Sequence, residues 1–267
     1  MNSKHDTATT LVPLPALSDN YIWLLSQNGK AAVVDPGEAE PVLDYLKKHG
    51  LSLSTILLTH HHGDHTAGVI ELQQATGATV YGPATEKLPA CDHRLSEGDT
   101  ITLPGPALTL SVLDVPGHTA GHIAFHGLID GSQAVVFCGD TLFAAGCGRL
   151  FEGTAAQMVE SMGKLRSLPP DTLVCCGHEY TLSNLRWALH VEPDNAALQQ
   201  RWNQASRLRE DGLPTLPSTI GIELTSNPYL RLSEPAIVAA ASAHAGVGLS
   251  SDVDVFTCLR EWKNNFR

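Results

Sequence analysis

The chain has 267 residues, enough for one large domain or two modest ones, and its 43% hydrophobic and 17% charged content belongs to a folded chain, not a disordered one. Seventeen basic against 28 acidic residues give a formal net charge of −11, which opposes binding to a nucleic-acid backbone or an anionic membrane surface. No apolar run reaches the length of about eighteen residues that spans a bilayer, and the opening MNSKHDTATT lacks the apolar segment of an export signal. The six cysteines (Cys91, Cys138, Cys147, Cys175, Cys176 and Cys258) show no CxxC spacing. They are expected to be reduced thiols of a cytoplasmic protein.

In chain order, Tyr21–Leu25 and Ala31–Asp35 read as paired strands around an Asn28-Gly29 turn. A helix follows over Glu40–His49, where Val42, Leu43 and Leu46 keep a helical period. Ser54–Thr59 is a buried strand by its apolar, branched content, and Thr66–Thr76 resumes a helical pattern. Further strands are expected at Thr79–Tyr81, Thr109–Val115, His122–His126, Ala134–Cys138 and Leu173–Cys176, so the first two thirds of the chain predict a layered α/β fold. After His178 the pattern turns helical: Leu182–His190, then Asn195–Glu210 with Asp194 or Asn195 as its cap, and finally Asp252–Phe266 with Phe256, Leu259 and Phe266 on one side.

Four of the thirteen histidines stand at positions 60, 61, 62 and 65, directly after the Ser54–Thr59 strand. In extended backbone His60 and His62 point to one side and His61 to the other. Gly63 permits a sharp turn, after which Asp64 and His65 begin a helix facing elsewhere. Two imidazoles for one ion, and a carboxylate with an imidazole for a second, fit that geometry. Three more segments place a metal-ligand residue just past a strand: Gly117-His118-Thr119-Ala120-Gly121-His122, Cys138-Gly139-Asp140-Thr141 and Cys176-Gly177-His178-Glu179-Tyr180. Any one of them alone reads as a turn; four in one chain read as a metal centre.

The motif THxHxDH, followed by GHTxGH, GDTLF, GCGR and GHEYT, resembles the metallo-β-lactamase superfamily and, more closely, the hydroxyacylglutathione hydrolases known as glyoxalase II. The resemblance runs from Ser18-Asp19-Asn20-Tyr21 through Asn227-Pro228-Tyr229-Leu230-Arg231 to the last helix. It implies an α/β, αββα sandwich with a C-terminal helical domain: residues 1–178 as the metal-binding catalytic domain and 179–267 as the helical substrate-binding domain. It also implies that His60, His62 and His118 hold one ion, that Asp64, His65 and His178 hold the other, and that Asp140 bridges them. Asp64 and Asp140 are then the catalytic carboxylates, acting with a metal-bound hydroxide. His122 matches a histidine that is not a ligand, and Asp35 a supporting aspartate.

The same resemblance assigns Arg149, Tyr180, Arg260 and Lys263 to substrate binding. Arg260 and Lys263, spaced i,i+3, share one helix face that suits a carboxylate. Phe151 stands where some members have a tyrosine, so one hydrogen bond to substrate is absent. The cofactors implied are two divalent ions, zinc first, with iron or manganese also accepted by His and Asp ligands. The partner implied is a small glutathione thioester, with no nucleic acid and no membrane, and the chain is expected to be monomeric. The expected activity is hydrolysis of S-D-lactoylglutathione and related hydroxyacylglutathiones to D-lactate and glutathione, the second step of methylglyoxal detoxification. The alternatives are another enzyme of the same fold, such as an iron-dependent persulfide dioxygenase, or a non-catalytic metal-binding domain. The Arg260–Lys263 helix opposes the former, and ligands of His and Asp rather than cysteine oppose the latter.

Overall fold

The computed structural model describes residues 8–106 and 108–266. The first seven residues, on which the expected absence of an export signal bears, lie outside that range. The chain divides into two compact units, Met1–Asp114 with Gly121–Gly139, and Val115–Ala120 with Asp140–Arg267.

The first unit holds two sheets. One has the order β1-β2-β3-β4-β5-β6, made of β1 (Thr10–Ala16), β2 (Asn20–Gln27), β3 (Lys30–Val34), β4 (Ser52–Leu57), β5 (Thr79–Pro83) and β6 (His93–Leu95). The first three strands pair antiparallel, and the later pairings are parallel. Asn28 and Gly29 both take positive φ, 51° and 76°, which is the turn that two-residue hairpins favour because it follows the twist of their strands.

Helix α1 (Glu40–His49) separates β3 from β4 and ends at Gly50, whose φ of 65° is the left-handed stop that only glycine takes cheaply. Val42 and Leu46 of α1 join Ile22, Leu24, Val33, Ile56 and Val80 in one buried cluster. Removing each such side chain from water contributes about 1.5–3 kcal/mol. The second sheet of this unit is the antiparallel set β7 (Thr100–Thr102), β8 (Thr109–Asp114), β9 (Ile123–Ile129) and β10 (Gln133–Gly139).

The single helix expected over 66–76 is in fact two, α2 (Gly63–Thr66) and α3 (Val69–Thr76). The break falls at Gly68, whose amide donates to the Pro36 carbonyl at 3.0 Å. A Cβ there would lie 2.5 Å from the carbonyl carbon of Glu38, so this stretch presses against the loop after β3 instead of continuing as a free helix.

The second unit carries a short hairpin, β11 (Leu142–Phe143) with β12 (Gly146–Cys147), then α4 (Ala155–Arg166) and the antiparallel pair β13 (Leu173–Cys176) and β14 (Ser218–Thr219). Its remaining helices are α5 (Thr181–Val191), α6 (Ala196–Glu210), α7 (Ile220–Ser226), α8 (Pro235–Ala245) and α9 (Asp252–Asn265), with one 3-10 turn at Pro228–Leu230. Asn195 caps α6 as expected, accepting from the amides of Ala197 and Leu198. Trp187 of α5 stacks on Tyr229 with centroids 5.2 Å apart, and Phe256 of α9 packs tilted at 58° against Tyr229 at 5.4 Å, so that these rings centre the helical core.

The β11–β12 hairpin is held by the helices through its backbone. Asn227 donates to the carbonyls of Phe143 (3.1 Å) and Gly146 (2.9 Å), Asn184 to that of Ala144 (3.0 Å), and Glu223 accepts from the Ala145 amide (2.8 Å). Asn227 is fully buried, and its Oδ1 also accepts from the Tyr229 amide at 3.0 Å. Replacing Asn227 with Ala strands those buried carbonyls, so the variant should unfold with a stability loss of about 2–3 kcal/mol, measured as a lower urea midpoint at unchanged slope. A midpoint equal to that of the wild type would show that the hairpin does not depend on this clamp.

Candidate metal centre

Asp35 follows β3 with a φ of 53°, a left-handed conformation that aspartate tolerates better than most residues. That turn carries its carboxylate back over the end of β4. It accepts from the Thr59 amide (2.8 Å) and the Thr59 hydroxyl (2.6 Å), and lies 3.2 Å from His65 Nδ1. The Thr59 hydroxyl proton is committed to Asp35, so its oxygen, 3.0 Å from His60 Nδ1, accepts from that ring. His60 and His65 therefore both carry the proton on Nδ1, which leaves Nε2 unprotonated and able to donate its lone pair to a cation.

The rest of the motif closes around these two rings. His62 lies edge-on to His60 at 4.8 Å and His65 stands 4.3 Å from it, while His61 turns away to place Nδ1 2.8 Å from Glu86. This is the alternation the extended backbone predicts. Asp64 stands 3.5 Å from His65 Nε2, and Asn20 donates to both its carbonyl and its carboxylate. His122, fully buried, stacks on His60 at 4.6 Å. The loop after β3 approaches closely: a Cβ on Gly37 would fall 1.9 Å from the Asp64 carbonyl oxygen.

In the second unit Asp140 stands between two histidines. Its Oδ2 lies 3.3 Å from His118 Nε2 and 3.4 Å from His178 Nε2. The other ring nitrogen of His118 donates to the Arg149 carbonyl at 2.9 Å, fixing Nε2 as the outward donor. Glycine at 148 is required, because a Cβ there would meet the Asp140 carbonyl oxygen at 1.9 Å. Tyr180 stacks flat on His178 at 4.6 Å, and Phe151, 62% exposed, stands edge-on to His118 at 5.3 Å.

These donors fit divalent cations. Ligand atoms bonded tetrahedrally at about 2.0–2.1 Å lie roughly 3.3–3.4 Å from one another, which is the spacing found around Asp140 and close to that of Asp64 with His65. The chemistry is nitrogen and carboxylate oxygen. Burial pushes the neighbouring Cys176 thiol up to about 12, and that of Cys147 to about 11, so both remain protonated and poor ligands. Ligand sets of His and Asp suit zinc, iron and manganese alike.

The expected substrate contacts occupy contrasting surroundings. Arg149 is exposed and Tyr180 partly so. Arg260, expected to share a helix face with Lys263, is only 6% exposed: it donates to the Cys147 carbonyl at 2.8 Å and lies 5.4 Å from the Tyr229 ring centre. Lys263 is half-buried, with its ammonium on the Ser183 carbonyl (2.9 Å) and hydroxyl (3.2 Å). Desolvation, and then the charges of Arg260, Arg186 and Arg149, lower its pKa to about 8. Arg186, one turn along α5 from Ser183, belongs to this group although no motif marks it.

Comparison with known proteins gives concordant matches. The family model described as metallo-beta-lactamase superfamily matches residues 17–178, and that described as hydroxyacylglutathione hydrolase C-terminus matches residues 179–266. A Nitrosomonas europaea protein named hydroxyacylglutathione hydrolase is 51% identical over 96% of this chain and 95% of its own length. One of the same name from Methylobacillus flagellatus is 53% identical over 96% of this chain and 99% of its own. Among solved structures, TTHA1623 in a di-iron-bound form is similar with a TM-score of 0.56 and 28% identity, over 83% of this chain and 100% of that one.

The hydrogen bonds of Asp35 can be tested without changing its shape or backbone. Asn tolerates the same φ, but its amide nitrogen must face either Thr59 or the His65 N–H, donor against donor. Asp35→Asn should weaken metal affinity about 10–100-fold, read by competition with a chromophoric chelator, while far-UV circular dichroism is unchanged. Undiminished affinity would remove Asp35 from the site.

Proposed function

The chain belongs to the hydroxyacylglutathione hydrolase family of the metallo-β-lactamase superfamily, and from that membership we propose that it hydrolyses S-D-lactoylglutathione and related hydroxyacylglutathiones to the hydroxy acid and glutathione, the second step of methylglyoxal detoxification. His60, His62 and His118 are proposed to hold one ion, Asp64, His65 and His178 the other, and Asp140 to bridge the pair. Zinc is the proposed metal, with iron or manganese as substitutes. Residues 1–178 are proposed as the catalytic domain and 179–267 as the substrate-binding domain, in a monomeric cytoplasmic enzyme. Among the described residues no helix is long and apolar enough to cross a membrane.

Two bound divalent ions would bring the pKa of a water toward neutrality and polarise the thioester carbonyl. The chain's own residues then have three tasks. Asp35 and Thr59 hold His60 and His65 in the protonation state that ligates. Asp140 lies between two imidazoles, which supports its proposed role as a shared ligand, and its negative charge would offset that of the cations. Arg149, Tyr180, Arg260 and Lys263 are proposed to bind the glutathione part, which carries the carboxylates. A thiol leaves as a thiolate of pKa near 8.5, so the site needs no strong acid to protonate the departing group. The more basic amine of a lactam would call for one.

The observation that carries this reading is the placement of the Asp140 carboxylate between two imidazole nitrogens at ligand-to-ligand spacing. Asp140→Ala should lower the metal content below two ions per chain and reduce kcat for S-D-lactoylglutathione by at least about 100-fold. Exhaustive chelation of the wild type should abolish turnover, and added zinc should restore it. Full activity in the variant would remove the bridge; full activity after chelation would remove the metal mechanism.

A further inference from the structure

Of three consecutive residues in the loop after β5, Thr85 and Lys87 are exposed, and the acid between them, Glu86, is buried. A carboxylate turned inward is costly unless donors meet it, and the first unit supplies two. One oxygen lies 2.8 Å from His61 Nδ1, and the other accepts from the Gly121 amide at 3.1 Å. Because an ionised carboxylate only accepts, the ring nitrogen is the donor. Arg94 closes the loop that delivers the acid, donating to the carbonyls of Ala84 (3.3 Å) and Glu86 (3.0 Å). Glycine at 121 is what lets the carboxylate approach: a Cβ there would fall 2.6 Å from Glu86 Cγ and 2.3 Å from the Thr85 hydroxyl. The next two residues carry on to the histidine loop, His122 by stacking on His60 and Ile123 by donating its amide to the Thr59 carbonyl at 2.9 Å. The function proposed above uses neither Glu86 nor His61.

We propose that Glu86 is a positioning residue of the metal centre: it holds His61 out of the ligand set, so that of three consecutive imidazoles only His60 and His62 meet the cation. The inference rests on the ligand set proposed above. The need for such a hold follows from how near the unwanted ring stands. Its centre lies 5.0 Å from that of His62, and a ring nitrogen of one lies within 4.8 Å of a ring nitrogen of the other. The His61 side chain is 31% exposed, which leaves it room to change rotamer, whereas His60 is fully buried. Imidazole is a good ligand to zinc and iron wherever it stands, so a third ring within reach competes with the other two. Tied to Glu86, that ring must first give up a charge-assisted hydrogen bond and leave a buried carboxylate short of a donor. Asp35 thus selects which nitrogen of a ligating ring is offered, and Glu86 selects which rings are offered.

The test loads the metal-free protein with cobalt(II), whose visible spectrum and paramagnetically shifted histidine N–H signals report the ligands around it. His61→Ala should leave both as in the wild type. Glu86→Met fills similar space but accepts no proton; it should change the spectrum, add a shifted N–H signal and lower the zinc-supported kcat about 10–100-fold. Removing His61 as well, in Glu86→Met with His61→Ala, should restore the wild-type spectrum and delete the added signal, which a merely structural loss would not do. Glu86→Gln should resemble the wild type, because its carbonyl serves the Gly121 amide and its nitrogen holds the other tautomer of His61. An unchanged spectrum in folded Glu86→Met overturns the proposal, as does a changed one that the second substitution fails to restore. A shifted signal lost in His61→Ala shows that the ring is a ligand in the wild type, with the same result. Nitrogen NMR of the wild-type His61 ring should place the proton on Nδ1 with and without metal. A proton on Nε2 means that Glu86 does not hold the ring and overturns the proposal, whatever the folding of the Glu86 variants. A wild type that takes up no cobalt removes the metal centre and this role with it. Turnover of S-D-lactoylglutathione by the zinc-loaded wild type separates the readings: hydrolysis beside an unchanged Glu86→Met spectrum sinks only the positioning role, and no hydrolysis sinks the thioester reading, on which the cobalt result does not depend.

Discussion

The metal-binding half of the first unit depends on one buried carboxylate. Asp35 reaches His65 directly and His60 through the Thr59 hydroxyl, so a single acceptor fixes the ring state of one histidine proposed for each ion. The geometry is obtained at a backbone cost, because Asp35 sits at a φ of 53°, where a non-glycine residue is strained by about 1–2 kcal/mol. The cost is offset by two charge-assisted hydrogen bonds from Thr59, each about 1.5–3 kcal/mol. The close fit of Gly37 against Asp64 and of Gly68 against Glu38 follows from the same arrangement. With the loop after β3 drawn over the end of β4, nothing larger than hydrogen fits at either point.

A second constraint ties Asp140 to the helices within the second unit. Asp140 and Arg149 bracket the β11–β12 hairpin, whose backbone carbonyls are engaged by Asn184, Asn227 and Arg260. The Arg149 carbonyl in turn orients His118. Arg260 therefore has a structural use whether or not it meets substrate. Its guanidinium spans the Cys147 carbonyl and the Tyr229 ring, and a lysine could not supply both contacts from one planar head. Helices α5 and α9, which carry Asn184 and Arg260, thus hold the hairpin that follows Asp140.

What the sequence disclosed, and what it hid, follows from how local each signal is. The Asn28-Gly29 hairpin, the alternation of His60, His61 and His62, and the Asn195 cap are set within a few residues and appear as expected. The helix break at Gly68 is invisible from the chain because its cause, the Glu38 backbone, is thirty residues away. Helix α8, PAIVAAASAHA, escapes notice because it is apolar nearly all round, so no face stands out and only Ile237 and Ala241 become buried. Helix α4 carries a complete Thr154–Gln157 capping box, a signal that was present and unread. Arg186 belongs to no motif; only the pairing of α5 with α9 gives it neighbours. Arg260 was legible as a cation on the Lys263 face, but not as a buried one, since i,i+3 spacing says which residues share a face and nothing about what covers it.

The charge distribution bears on the selectivity of the proposed chemistry. A body of net charge −11 repels anions at large, so an anionic substrate gains from approach only where cations cluster locally. In the proposed reading the cations around Lys263 meet the carboxylates of a ligand, remote from any bond that is cut. The contacts they make are thus the same in ground and transition states, which tunes affinity and leaves the chemical step untouched. The histidines and aspartates, as proposed metal ligands, bear on the reacting carbonyl instead. In the proposed division the cations bear on which thioester is held, whereas Asp35 and Asp140 bear on whether it is broken.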